Sequence, residues 1–400
     1  MTTYNFDKIT NRKGTNCLKY DFAVERGKPA DVLPLWVADM DFPVSEEITK
    51  SLHAAVEHGI YGYTQPKDAY YNAVMNWMER NHNWKTEREW IVKTPGVVFA
   101  LGAAVKAFTD PGDAILIQNP VYYPFTNIIR DNDRRVVDNT LIYEKTAGQS
   151  GDNGYRIDFE DFERKLEQEH IKLFILCNPH NPVGRVWTAE ELQQLGEICL
   201  RHHVIVVSDE IHNDFVYPGY EHTVFATVDP RFAEFTVTCT APSKTFNLAG
   251  LQISNIFIPN EKLRKAFQTE IDKTGYDEPN ALGIVACEVA YRAGEDWLDQ
   301  LRAYLLKNLN FLRNFLQEKI PQIHLVEPEG TYLVWLDCSQ LGITGKELDQ
   351  FIVDKAGLWL DGGSMFGPSG AAFQRVNIAC PQATLELALN KLKAAVDNLK

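Results

Sequence analysis

Val204-Ile205-Val206-Val207-Ser208-Asp209-Glu210 puts four consecutive β-branched residues and a serine before a carboxylate. An unbroken apolar run of this length reads as a strand buried on both faces, and such strands belong to parallel sheets covered by helices. The flanking sequence repeats the pattern. Apolar runs at 114–118, 171–177, 235–239 and 253–258 alternate with helix-length amphipathic stretches at 67–83, 97–109, 158–169 and 188–202. Short buried strands alternating with helices predict an α/β layer on a mostly parallel sheet. Ligands of such sheets sit in the crevice beyond the carboxyl ends of the strands, so the residues after each run carry the functional reading.

Three of those strand ends are chemically suggestive. The run 171–177 leads into Asn178-Pro179-His180-Asn181-Pro182-Val183-Gly184, the run 204–208 into Asp209, and the run 235–239 into Ala241-Pro242-Ser243-Lys244-Thr245-Phe246-Asn247. A pyridoxal phosphate site needs an amine for a Schiff base, an acid to keep the pyridine nitrogen protonated, and a polar group at the ring hydroxyl. Lys244, Asp209 and Asn181 supply these in turn. Taken singly, such a lysine is more often a solvated charge, such an aspartate a helix cap, and an asparagine between prolines a turn. Their order and spacing carry the reading.

Other segments fit around the same cofactor. Thr94-Pro95-Gly96-Val97-Val98 turns on a glycine into a helix, whose N-terminus offers free N–H groups and a positive dipole end to a phosphate. Ser243 adds a hydroxyl beside the lysine. Tyr122, in Asn119-Pro120-Val121-Tyr122-Tyr123-Pro124, follows the run 114–118 and can stack on a flat ring. Tyr63, in Tyr61-Gly62-Tyr63-Thr64, offers the phosphate a further hydroxyl. Arg375, in Gln374-Arg375-Val376-Asn377-Ile378, is a guanidinium in a strand, suited to a substrate carboxylate or to a structural ion pair.

Composition narrows the class. The chain has 400 residues, 45% of them apolar, enough to bury a large core in two or three domains. A formal charge of −14 argues against nucleic acid and against an anionic membrane surface. Seven cysteines (Cys17, Cys177, Cys199, Cys239, Cys287, Cys338 and Cys380) form no Cys-x-x-Cys pair, which predicts reduced thiols and no metal site. The start Met1-Thr2-Thr3-Tyr4 lacks a basic-then-apolar leader, and no apolar run nears the ~20 residues of a membrane span. A cytoplasmic protein is the expectation.

The pattern changes after about residue 280. A helical periodicity covers 281–319, with Trp297, Leu298, Leu301, Leu305, Leu309, Leu312 and Phe315 on one face. Strands at 332–336 and 375–378 and a helix at 382–399 follow, an α+β arrangement. The polar segment 144–155 reads as a surface loop. We expect residues 1–49 to form an arm and part of the small domain, 50–285 the large cofactor domain, and 286–400 the small C-terminal domain.

The chain resembles fold-type I pyridoxal-phosphate enzymes of the class I/II aminotransferase superfamily, and more closely the MalY/PatB group of cystathionine β-lyases (C–S lyases). The narrower likeness rests on Pro34-Leu35-Trp36-Val37-Ala38-Asp39-Met40-Asp41-Phe42, on Ser208-Asp209-Glu210-Ile211-His212, and on Ala241 to Gly250. Pro328-Glu329-Gly330-Thr331-Tyr332 and Arg375 to Pro381 add to it. It implies a large domain with a mostly parallel seven-stranded sheet and a smaller α+β domain. It also implies that Lys244 bonds the cofactor, Asp209 pairs with the ring nitrogen, Asn181 meets the ring hydroxyl and also lies near substrate, and Tyr122 stacks. Val97 and Val98 would bind phosphate through backbone N–H groups, Arg375 the substrate carboxylate, and Ala38 and Tyr123 would line the substrate side. Tyr63 would reach the neighbouring subunit's phosphate, implying a homodimer with active sites at the subunit interface.

Two positions depart from the broad aminotransferase pattern. His212, counted with the cofactor residues, stands where many transaminases have a tyrosine, and Gln252 where they have a phosphate-binding arginine; both fit the C–S lyases better. The implied reaction is α,β-elimination from cystathionine or related cysteine S-conjugates to a thiol, pyruvate and ammonia. The alternatives are a class I/II aminotransferase using the same residues, and a regulator that has kept the fold.

Overall fold

The computed structural model describes residues 2–145 and 153–399. The expected loop 144–155 therefore falls largely outside the described residues; its two flanks, Ile142–Tyr143 and Tyr155–Arg156, pair as a short antiparallel ladder.

Seven strands form the main sheet: β1 Ile91–Thr94, β2 Ala114–Ile117, β3 Arg135–Asp138, β4 Ile171–Cys177, β5 Ile205–Asp209, β6 Thr236–Thr240 and β7 Ser254–Phe257. They lie in the order β1-β7-β6-β5-β4-β2-β3. Only β7 runs antiparallel to its neighbours. Five strands coincide with the apolar runs read from the sequence. The two without a run, β1 and β3, are the sheet edges, where Lys93 is half-buried and Arg135 exposed, so no continuous apolar signature is required of them.

Side-chain alternation divides the core between the two faces of the sheet. Ile115, Ile117, Leu173, Ile175 and Val207 join one cluster, with Leu101, Val105 and Phe267 from helices Val97–Phe108 and Glu261–Asp272. Leu116, Phe174, Leu176 and Val206 join the other, with Phe162, Leu192 and Leu195 from helices Phe159–Gln168 and Ala189–Arg201. Helix 189–201 starts where the sequence says it must, at a capping box in which Thr188 and Glu191 satisfy each other's backbone N–H groups.

The helical periodicity over 281–319 proves to be two helices, Ala281–Ala293 and Glu295–Lys319. Gly294 lies between them, and a Cβ there would overlap the ring of Phe246, two residues beyond Lys244. A second, antiparallel sheet follows, of β8 His324–Val326, β9 Leu333–Asp337, β10 Asp361–Gly362 and β11 Phe373–Asn377 in the order β8-β9-β11-β10. Helix Gln382–Asp397 ends the fold. The N-terminal arm joins this sheet's side of the molecule: Leu33 and Pro34 pair with Leu358 and Trp359, and Trp36 stacks on Trp359 with centroids 4.5 Å apart. Among the described residues no helix is long and apolar enough to cross a membrane.

Candidate active site

Parallel pairing fixes which strand ends meet. Cys177 of β4 is level with Asp209 of β5, and Asp209 with Cys239 of β6, so Asn178–Asn181, Asp209 and the Lys244 turn leave the sheet along one edge. The turns after β1 and β2 leave by the same edge and bring Gly96–Val98 and Tyr122.

Lys244 lies in the four-residue helix Pro242–Thr245. It is half-buried, and its Nζ donates to the Ala38 carbonyl at 3.1 Å. Burial pulls its pKa from 10.5 down to about 8, helped by the positive charge of Arg375 and opposed by Asp39 and Asp209. At mildly alkaline pH a large share of the amine is therefore neutral and nucleophilic, the property a Schiff-base lysine needs.

Asp209 is 4% exposed. Burial raises its carboxyl from 3.8 to about 7, while the Ile211 N–H, 3.2 Å from Oδ1, and the Lys244 charge work the other way. Among the described residues no cation forms an ion pair with it. A buried carboxylate in this condition suits a protonated ring nitrogen, which would restore its charge. His212 is buried, and burial with the charges of Lys244 and Arg375 drives its pKa well below 6.5, so it is neutral at working pH. Its Nδ1 is buried without a hydrogen-bond partner.

Arg375 lies on β11 directly opposite Asp361 of β10, and the two form a buried cross-strand ion pair. Nη1 donates to Asn181 Oδ1 at 2.9 Å and Nη2 to the Trp36 carbonyl at 3.1 Å, while Nε is buried without a partner. The guanidinium also stands 4.8 Å from the centre of the Phe366 ring. Of the two sequence readings of this arginine, the structural ion pair is present, and Nε is a donor that the pair does not use.

The residues expected at a phosphate are less closely grouped. Gly96 precedes helix 97–108 without a side-chain cap, so the N–H groups of Val97 and Val98 are left to another acceptor. Val97 is buried and Val98 43% exposed. Ser243 and Tyr122 are half-buried. Tyr122 feels the charges of Arg375 and Asp209, which places it by the same pair of residues. Tyr123 packs on Phe366 with centroids 6.1 Å apart. Gln252 is exposed, in a left-handed turn at φ 51°. Tyr63 stands apart from all of these. It is 95% exposed and borders a surface depression shared with Glu278 and Asn280.

Several residues of the site had not been singled out from the sequence. Tyr332 donates its hydroxyl to the Ala38 carbonyl at 2.9 Å, so that oxygen is shared with Lys244. Asn247, at φ 56°, clasps the arm through Met40 N and the carbonyls of Met40 and Phe42. Asn377 does the same for the carbonyls of Val37 and Asp39 at 2.7 Å. Asp361 is the fourth. The signal for it, a carboxylate within the apolar stretch Leu358-Trp359-Leu360-Asp361, was present but pointed to no partner.

Comparison with known proteins agrees with this geometry. The family model for aminotransferase class I and II matches residues 30–392. Cystathionine beta-lyase PatB of Bacillus subtilis is 46% identical over 98% of this chain and 100% of its own length. Among solved structures, cystalysin of Treponema denticola, which contains a pyridoxal 5'-phosphate cofactor, superposes with a TM-score of 0.95 at 38% identity, covering 100% of both chains. A pyridoxal-phosphate-bound C–S lyase of Staphylococcus hominis follows at TM-score 0.91 and 34% identity, over 99% of this chain and 98% of that one.

Proposed function

Because the chain belongs to the class I and II aminotransferase family, and within it to the MalY/PatB-type cystathionine β-lyases, we propose the following reading of its site. The protein is a pyridoxal-phosphate-dependent C–S β-lyase. It cleaves L-cystathionine and related cysteine S-conjugates by α,β-elimination to a thiol (homocysteine from cystathionine) and aminoacrylate, which water then hydrolyses to pyruvate and ammonia. The observation that carries it is the half-buried Lys244 amine, with its pKa near 8, set beside the buried Asp209 carboxylate.

When bound, the cofactor supplies an aldehyde that takes up the substrate amine and a ring that spreads negative charge from the α-carbon. The remaining work falls to this chain. The Asp209 carboxylate would keep the ring nitrogen protonated. Asn181 and His212 would serve the ring hydroxyl, and Tyr122 would lie against the ring. The amides of Val97 and Val98, with Ser243, would hold the phosphate. Arg375 binds the α-carboxylate through the donor that its ion pair leaves free, with Tyr123 and the Ala38 carbonyl on the substrate side. The Lys244 amine takes the α-proton at Nζ, after which the Cβ–S bond breaks and the thiolate departs.

The same reading includes three wider expectations. Exposed Tyr63, with Tyr61, Ile60 and Val56 also exposed nearby, supports a homodimer in which Tyr63 reaches the neighbouring subunit's site. The division at residues 49 and 285 into arm, large domain and small domain goes with it, as does a cytoplasmic location. The experiment that tests the function incubates purified holoenzyme with L-cystathionine and no keto acid. Pyruvate and a free thiol in equal amounts are expected; turnover only when a keto acid is added would identify an aminotransferase instead.

A further inference from the structure

Resting on the lyase reading, we propose that a cavity behind the Arg375 clamp receives the part of the substrate beyond sulfur. On this proposal Arg26, Lys28 and Asp349 select substituents that end in an amino-acid group, carboxylate and ammonium together. The cavity has a volume of about 450 Å³, and its wall includes Tyr123, Trp36 and Asp361. The last two contact the Arg375 guanidinium, Trp36 through its carbonyl and Asp361 through its carboxylate. The cavity therefore adjoins the group that fixes the substrate's α-carboxylate. A chain extending from Cβ through sulfur needs room of this kind next to that clamp.

The charges around the cavity are sorted. Arg26 and Lys28 both line it, and among the described residues neither has an ion-pair partner. Arg26 stands 5.4 Å from the centre of the Trp36 ring, and that ring is stacked on Trp359, another wall residue. A guanidinium positioned by an aromatic face keeps its N–H donors available to a carboxylate. Asp349 also lines the cavity without an ion pair; its Oδ1 accepts from buried Gln374 at 2.7 Å. Gly362 permits that placement, because a Cβ at this position would overlap the Asp349 carboxylate. Asp361, by contrast, is neutralised by Arg375. What remains for a ligand is two cations, one anion and an apolar wall, which matches a methylene chain carrying a zwitterionic end.

Steady-state pyruvate formation by the holoenzyme tests this with three substrates. L-Cystathionine carries both distal charges, S-(2-carboxyethyl)-L-cysteine only the carboxylate, and S-ethyl-L-cysteine neither. In the variant R26A/K28A, kcat/KM for the first two should fall on the order of tenfold, mainly through KM, with S-ethyl-L-cysteine within about twofold of wild type. In Asp349→Asn only L-cystathionine should be affected. All three substrates falling together, or none of them falling, would overturn the proposal while leaving the lyase reading intact. Absence of pyruvate from every substrate in the unmodified enzyme would instead remove the reading it rests on. Arg26, Lys28 and Asp349 are exposed or half-exposed, so the substitutions leave the core undisturbed.

Discussion

The two halves of the candidate site are built differently. At the strand ends Asp209 closes β5, Asn181 and Lys244 follow β4 and β6 within a few residues, and these three strands are adjacent and parallel. Sequence order there converts directly into spatial order. The clamp around Arg375 is assembled from Trp36, Asn181, Asp361 and Arg375, separated by up to 339 positions along the chain. One half is a consequence of topology; the other exists only after the arm and the second sheet have docked. Damage to the first should therefore remove chemistry while the fold survives, and damage to the second should cost stability along with substrate affinity.

The largest expected effect is at the strand ends. Lys244→Ala should lower kcat by at least about 1,000-fold and abolish the visible absorbance of covalently held cofactor, with the melting temperature of the cofactor-free protein nearly unchanged. Full activity in this variant would refute the assignment. Arg375→Ala should act on both properties. Removing one member of a buried ion pair costs about 3–5 kcal/mol, since Asp361 would be left charged and alone. KM for the amino acid should rise while the cofactor absorbance persists. The double variant R375A/D361N should recover much of the stability in urea denaturation and none of the affinity, separating the two roles of the arginine.

A pH experiment probes the strand-end half alone. Only the neutral amine attacks an aldehyde, and the neutral fraction of Lys244 grows as pH rises towards its pKa. With that pKa lowered to about 8, the rate at which cofactor-free protein regains visible absorbance should climb up to about pH 8 and then level off. Continued acceleration beyond pH 10 would mean an ordinary, solvated lysine. The smallest effect belongs to the seam between the halves. Tyr332→Phe removes one hydrogen bond to the Ala38 carbonyl, so a loss of about 1 kcal/mol and a modest rise in KM are expected, with spectra unaltered.

Legibility followed the same division. The five central and near-central strands announced themselves through uninterrupted apolar runs, whereas edge strands β1 and β3, partly wetted, did not. The helical periodicity over 281–319 runs through a break at Gly294, where the residue type answers to the Phe246 ring, 48 positions away in sequence. Tyr63 was legible as a motif, yet within one chain it faces outward, at 95% exposure.

From its residues alone, this chain specified an α/β sheet and the ends of three neighbouring strands as the place for an amine, an acid and an amide. It could do so because a buried parallel strand must be apolar throughout and must deliver its next residues to one common edge. Tertiary structure alone decided that Arg375 would be half satisfied by Asp361, that the arm would lend Ala38 to both Lys244 and Tyr332, and that Arg26, Lys28 and Asp349 would border one cavity. Those arrangements depend on contacts between distant segments, and no local periodicity encodes which distant partner a charge will meet.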